Sequence, residues 1–391
     1  MVTLSGIADK KELKILEPAC GHAPFLRHIK EHFPNSGHSY LGIEIDKNQD
    51  EKALLLQREF EIIDKDFLLW ETNEKFDFII GNPPYGIIGD SSHYPIHVLK
   101  EFKELYKKKI LTWKGKFNIY GAFLEKAVNL LKPRGKLIFI IPSTWLILDD
   151  YEKLRKFLAE NGKTSVFYLG NAFPKRQVTV GIVLFEKGLK GLELWADDVL
   201  IRRDDGYKGG MIRFEDESTI TFERDKTKLG ELFDCYFAAR SPEFRAHPQI
   251  ETTYRLGLVP ALTGRNLKAG KIDYSTCFSG FWLSKDLAKE IRWFYGFPHI
   301  VVGATKGGKV VSALDDKCYP WREEIHLVQK SHGLIDEAEL VNYLNSDELN
   351  EYFSKLYRDL SPHVSITQLG MLPIPKEFIA ADKKELSLFT E

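Results

Sequence analysis

Phe76-Asp77-Phe78-Ile79-Ile80-Gly81-Asn82-Pro83-Pro84-Tyr85 decides the fold. The first six residues are a short apolar run of the kind that forms a buried strand of a parallel sheet. Ligands of such sheets bind beyond the carboxyl ends of the strands, which is where Asn82 to Tyr85 fall. The amide oxygen of Asn82 and the carbonyl of Pro83 can accept hydrogen bonds from one exocyclic amino group. Two prolines stiffen the backbone and preorganise those acceptors. Tyr85 adds a flat ring on which a planar substrate can stack. The competing reading is a proline-rich turn and nothing more.

Strands and helices alternate on either side of this segment. Leu13–Leu16 reads as a strand, followed by a turn and a short helix with Phe25, Leu26, Ile29 and Phe33 inward. Tyr40–Asp46 is a second strand and Ile62-Ile63 the centre of a third, ending near Asp66. A helix over 118–131 stops at Lys132-Pro133-Arg134-Gly135, and Leu137–Ile141 follows as a strand. A further helix ends at Gly162, and Ser165–Leu169 and Val178–Phe185 form a hairpin-type pair. The pattern predicts a doubly wound, Rossmann-like α/β sheet, mostly parallel with one antiparallel edge. After Gly191 the rhythm is lost. The expected organisation is a catalytic domain over 1–187, a connecting segment over 188–228, and a mixed α+β domain over 229–391.

Composition narrows the function classes. The chain has 391 residues, 43% of them hydrophobic, which suits two or three globular domains. Its four cysteines are scattered, without a C-x-x-C pair, so neither a disulfide framework nor a zinc site is expected. No apolar run approaches the roughly 18 residues of a membrane span, and a cytoplasmic protein is expected. The net charge of −1 gives no global attraction to polyanions, so such binding has to come from local patches. His28-Ile29-Lys30-Glu31-His32 spells a zinc-protease motif, but the helix is short, Pro34 ends it and a third ligand is not evident, so no metal is expected.

The first strand–helix turn, Glu17-Pro18-Ala19-Cys20-Gly21-His22-Ala23, is the expected cofactor cradle. Glu44 at the end of the second strand is placed to hold ribose hydroxyls, as acids there do in dinucleotide-binding folds. Asp66 can accept from an adenine amino group, with Phe67 and Phe123 as ring walls. The alternative is that these acids are solvated strand caps.

The chain resembles the TaqI-like, gamma-type class I DNA adenine-N6 methyltransferases. The resemblance is carried by LEPAC (16–20), GIEID (42–46), DFLLW (66–70), GNPPYGI (81–87), YPIHV (94–98), YGAFLEKAV (120–128), GKTSVFYLG (162–170), FAARSPEF (237–244), LTGRNLK (262–268) and YPWREE (319–324). It implies S-adenosyl-L-methionine (AdoMet) as cofactor, held by Glu17, Pro18, Ala19, Cys20, Gly21, Ala23, Glu44, Ile45, Asp66, Phe67 and Phe123. It implies that Asn82 and Pro83 hold the target amino group, and that Tyr85 and Phe173 flank an extruded adenine. It further implies a site like 5′-TCGA-3′, a monomer acting on double-stranded DNA, and a cognate restriction endonuclease. A basic stretch that includes Lys114 and Lys116, together with Arg176, Arg240, Arg265, Lys268 and Lys306, is expected to meet DNA. Pro362, followed by His363, is expected to fill the gap left by the flipped base.

Two departures stand out. Met1-Val2-Thr3-Leu4 resembles only the tail of the family's T-P-x-x-V segment, and Ala23 stands where many members carry glycine. Both lead to an expectation of weaker AdoMet binding, unless the start site is mis-assigned. A non-catalytic DNA-binding subunit and a methyltransferase acting on RNA or protein therefore remain as alternatives.

Overall fold

The computed structural model describes residues 1–7, 10–45, 59–89, 100–173 and 178–379. The chain divides into two compact units, Met1–Phe214 and Glu215–Glu391.

The first unit is built on a nine-stranded sheet: β1 Lys14–Pro18, β2 Ser39–Glu44, β3 Glu61–Asp64, β4 Phe76–Gly81, β5 Leu131–Pro142, β6 Gly162–Gly170, β7 Val180–Lys187, β8 Leu192–Ala196 and β9 Val199–Asp204, in the order β3-β2-β1-β4-β5-β7-β6-β8-β9. Strands β3 to β5 pair in parallel. The chain starts at β1, moves outward through β2 and β3, then returns to the other side of β1 as β4. The order therefore reverses between β1 and β4, where an open α/β sheet forms its ligand crevice. Gly81 ends β4 at that crevice, followed by Asn82.

Side-chain alternation fixes the two faces of the sheet. Ile15, Phe78, Ile80 and Ile138 belong to one core cluster, joined by Leu26 and Ile29 from the helix Pro24–His32. Leu16 and Ile79, one position along, are fully buried as a register pair of their own. The helix Ile119–Leu130 is buried at nearly every position, Phe123, Leu124 and Val128 included.

The antiparallel pair differs from its expected place. β7 lies inside the sheet, antiparallel to both β5 and β6, and is not an edge. Beyond β6, β8 adds in parallel and β9 antiparallel. Residues 192–204, expected within a connecting segment, are thus strands of the first sheet. Their signal was present: Leu192, Leu194 and Ala196 are buried alternately. The interrupting charges, such as Glu193 paired with Lys163 of β6, lie on the other face.

The second unit holds a four-stranded antiparallel sheet. Its spatial order is Phe233–Phe237, Ile325–Gln329, His299–Val302, Ser312–Asp315. Phe244, Leu262, Phe294, Tyr295 and Trp321 form a core cluster in this unit. Helices Glu337–Leu344 and Asp347–Tyr357 complete a mixed α+β unit, each capped by the side chain of the residue before it, Asp336 and Ser346.

Candidate active site

The first turn is strained where it leaves β1. Ala19, Gly21 and Ala23 have φ of 59°, 51° and 47°. The left-handed region costs glycine nothing but an alanine roughly 1–2 kcal/mol, and such strain persists where surrounding contacts over-determine it. Here Cys20 N–H donates to Ile43 O at 2.9 Å, and Ala23 N–H to Cys20 O at 2.7 Å. Ala23 is fully buried, so its methyl also fills core space.

Two carboxylates bracket this turn. Glu44, at the end of β2, accepts from Gly21 N–H at 2.7 Å and from Ile45 N–H at 2.9 Å. Glu17 is 1% exposed and accepts from Leu26 N–H at 3.1 Å, so it caps the helix Pro24–His32 from below. Burial pushes its carboxyl up to about 8, against the opposing pull of the Leu26 and Phe25 N–H groups. Glu17 is thus a buried capping group, and Glu44 the carboxylate at the mouth of the turn. Ile45 is 46% exposed beside it. Burial raises the Cys20 thiol to about 12, which leaves it a packing group.

Asp66 is tied into the fold. Its Oδ1 accepts from Leu68 N–H at 2.8 Å and its Oδ2 from the hydroxyl of Tyr106, a residue the sequence reading did not single out. Phe67 and Phe123, expected as ring walls, pack against each other in a tilted pair with centroids 5.0 Å apart, and both are buried.

At the end of β4, Asn82 is exposed, Pro83 buried and Tyr85 half-buried. The Tyr85 hydroxyl lies 2.6 Å from Asn82 Oδ1 and 2.9 Å from Ile140 O of β5, so its one proton is shared between two acceptors, the nearer being Asn82 Oδ1. Its ring meets Tyr120 edge-on at 6.3 Å, and Tyr120 stacks on Tyr151 at 5.5 Å. The following backbone is held by Asn118: Gly86 N–H donates to its Oδ1 at 2.7 Å, and Ile119 N–H to Gly86 O at 2.9 Å. Asn118 was also not singled out, although an asparagine just before an apolar helix is a recognisable N-cap residue. Its side chain serves the Asn82–Tyr85 loop instead of the helix. Phe173 is half-buried, just beyond β6.

The basic stretch is more neutralised than its sequence suggests. Lys107 pairs with Glu104, Lys109 with Glu71 and Lys114 with Glu152. The last two partners come from other parts of the chain. The Lys116 backbone N–H donates to Asp150 at 3.3 Å. Arg176 lies outside the described residues, as does the YPIHV segment. His32 Nδ1 bonds His28 O at 2.8 Å, and among the described residues no group of three or more potential ligands forms a metal site.

In the second unit Arg240, Arg265 and Lys268 are exposed. Arg265 sits on a tight turn, Gly264–Asn266, whose shape is over-determined. Thr263 N–H donates to Asn266 Oδ1 at 2.9 Å, and Asn266 Nδ2 donates to Asp273 O and Thr276 O, each at 2.8 Å. Lys306 was expected on the DNA face, but its ammonium donates to Gly264 O and to Leu267 O at 2.8 Å and so braces this turn. The buried Glu324 accepts from Ala304 N–H at 2.7 Å, and a Cβ on Gly264 would come within 2.6 Å of it. Exposed Pro362 and His363 form a loop stitched to residues 304–308, with His363 Nδ1 2.7 Å from Thr305 Oγ1 and Gly308 N–H 3.3 Å from Pro362 O.

Comparison with known proteins agrees with both units. The Eco57I restriction-modification methylase family matches residues 23–172, and the TaqI-like C-terminal specificity domain matches residues 259–374. The type II methyltransferase M.TthHB8I of Thermus thermophilus is 50% identical over 377 residues, 94% of this chain and 87% of that protein. The modification methylase CviBIII of Paramecium bursaria Chlorella virus NC1A is 37% identical over 147 residues, 37% of this chain and 34% of the other. In fold, the type ISP restriction-modification enzyme LlaGI, solved with a DNA substrate mimic, aligns with a TM-score of 0.54 at 13% identity, spanning 94% of this chain and 50% of that one. A methylase-family match on the first unit, a specificity-domain match on the second, and half-identity to a type II enzyme along nearly the whole chain place this protein in one family: it belongs to the type II restriction-modification DNA methyltransferases.

Proposed function

We propose that the chain transfers a methyl group from AdoMet to N6 of an adenine in double-stranded DNA. The observation that carries this reading is the placement of Asn82-Pro83-Pro84-Tyr85 at the carboxyl end of β4, next to the β1/β4 reversal, with the Ala19–Ala23 turn ending the neighbouring strand. The residues around that turn suit AdoMet. Glu44 presents an oriented carboxylate for ribose hydroxyls, held by the Gly21 and Ile45 N–H groups. When bound, AdoMet would supply an electrophilic methyl, leaving as S-adenosyl-L-homocysteine, with the surplus N6 proton released to solvent.

This chain's residues prepare the nucleophile. Asn82 Oδ1 and Pro83 O accept from the two N–H bonds of the adenine amino group. That draws the nitrogen lone pair out of ring conjugation and toward the methyl. Tyr85 and Phe173 hold the extruded ring by its faces. Alignment and fixed dipoles supply the acceleration, and no covalent enzyme intermediate is needed. Arg240, Arg265 and Lys268, with the Pro362–His363 loop, form the proposed DNA-reading surface of the second unit. The proposed site is 5′-TCGA-3′, on the ground that the resemblance to the TaqI-like enzymes extends into the specificity domain. A cognate endonuclease and a monomeric state complete the proposal.

Mass spectrometry of nucleosides from DNA methylated by the purified protein is the test, followed by methylation-sensitive sequencing. N6-methyladenine within TCGA is expected. A methylated cytosine would refute the mechanism, and N6-methyladenine in another sequence would refute only the site. Absence of AdoMet binding by calorimetry would favour a non-catalytic DNA-binding role.

A further inference from the structure

We infer that the Tyr85 hydroxyl is a positioning group: it sets the orientation of the Asn82 carboxamide, apart from any stacking by the Tyr85 ring. The inference rests on the proposed transfer to adenine N6. Asn82 is exposed, at the end of a strand, and a carboxamide there can turn about its last bond and offer either its oxygen or its NH2. Only the oxygen can accept from an amino group, so half of the available orientations are useless for the reaction. The Tyr85 hydroxyl, 2.6 Å from Asn82 Oδ1, anchors that oxygen. One lone pair of that oxygen takes the hydroxyl proton, which it shares with Ile140 O, and the second stays directed for the target.

The anchor is itself rigid. The hydroxyl also reaches Ile140 O of β5 at 2.9 Å, the ring is braced edge-on by the fully buried Tyr120, and Tyr120 lies flat on Tyr151 with planes 7° apart. Burial raises the phenol well above its ordinary value, so it stays a protonated donor throughout the working pH range. The acceptor that activates the substrate is therefore referenced to the neighbouring strand of the sheet.

Tyr85→Phe keeps the ring and deletes only the hydroxyl. Single-turnover transfer from a radiolabelled methyl donor would be measured for wild type, Tyr85→Phe, Asn82→Ala and the double variant. Fluorescence of 2-aminopurine at the target would report base extrusion. We expect Tyr85→Phe to lower kcat by about 10- to 100-fold, the scale of a lost preorganising hydrogen bond. The KM for AdoMet and DNA, base extrusion and Tm should stay near wild type. In the Asn82→Ala background the same substitution should change the rate less than about twofold, since groups acting as one unit are non-additive. Full activity of Tyr85→Phe would overturn the inference, as would an equal loss in both backgrounds. In either case N6-methyladenine from the wild type would leave the proposed function intact. A wild-type product methylated on another atom would overturn both.

Discussion

At the scale of single residues, the site rests on a few groups with distinct duties. Asn82→Ala should leave DNA docking intact and reduce methyl transfer on the order of 10²-fold or more, by analogy with loss of one oxyanion-hole donor. A rapid-quench assay beside a DNA-binding titration separates the two effects. Glu17 gives a pH-dependent prediction. Its carboxyl is raised from 4.5 to about 8 by burial, so the folded state holds a proton that the unfolded chain has lost. The resulting stability is fully present below the ordinary carboxyl range and is lost as pH rises through about 8. A charge at a helix N-terminus gains roughly 0.3–1 kcal/mol, less than the several kcal/mol cost of dehydrating it, so the neutral form wins. Glu17→Gln keeps an acceptor for Leu26 N–H and removes the titration. Its melting temperature without cofactor should therefore fall less between pH 6 and pH 9 than that of the wild type.

At the scale of elements, the helix Ile119–Leu130 shows packing overriding propensity. Ala in place of Gly in a helix ordinarily gains about 1 kcal/mol. At Gly121, however, a Cβ would lie 2.5 Å from the Phe117 ring. That ring is 1% exposed and packed between Trp113 and Tyr151, at 5.3 and 5.1 Å, so it has little room to yield. Overpacking costs about 1–3 kcal/mol. Gly121→Ala is expected to be net destabilising by up to about 2 kcal/mol on those figures, read as a lower denaturant midpoint at unchanged slope. Activity should fall too, because Tyr120 braces Tyr85.

At the scale of the whole molecule, the two units should fail separately. Glu44→Ala is expected to weaken AdoMet by roughly 1.5–3 kcal/mol and leave DNA affinity unchanged. Arg265→Ala should do the reverse, weakening specific DNA by about 1–3 kcal/mol. Calorimetry with AdoMet and fluorescence anisotropy with a TCGA duplex would check the pair. Acid sensitivity should lie in the second unit. His299 Nδ1 bonds Phe297 O at 2.7 Å, and its Nε2 lies 2.6 Å from Nδ1 of the fully buried His326. Among the described residues His326 Nε2 has no hydrogen-bond partner, and it lies in a cage that includes Phe294, Tyr295 and Trp321. Burial lowers both imidazoles. The hydrogen bond to Phe297 O and then the Asp315 charge oppose that lowering at His299, while His299 and Arg292 push His326 lower still. Their stability is fully present above the ordinary histidine range near 6.5 and is lost as pH falls below it. Tm should drop on going from pH 7.5 to pH 5.5, and His326→Gln should flatten that drop.

The sequence by itself determined the parallel half of the first sheet and the position of Asn82–Tyr85 directly after β4. Strand periodicity, the prolines after Asn82 and the strand-end acids are local features, and local sterics and hydrogen-bonding capacity act at that range. Tertiary structure decided what the sequence pattern could not order. β7 enters between β5 and β6, and β8 and β9 continue the sheet, because pairing partners are chosen by burial of whole faces across distant segments. The same holds for side chains with several options. Lys306 turned inward because two carbonyls of a distant turn needed a donor, and Lys109 and Lys114 met Glu71 and Glu152 from other elements. The Tyr85 hydroxyl found Asn82 and Ile140 only once β4 and β5 lay side by side. A residue's type fixes which bonds it can make, whereas the packed chain fixes which of them are within 3 Å or so.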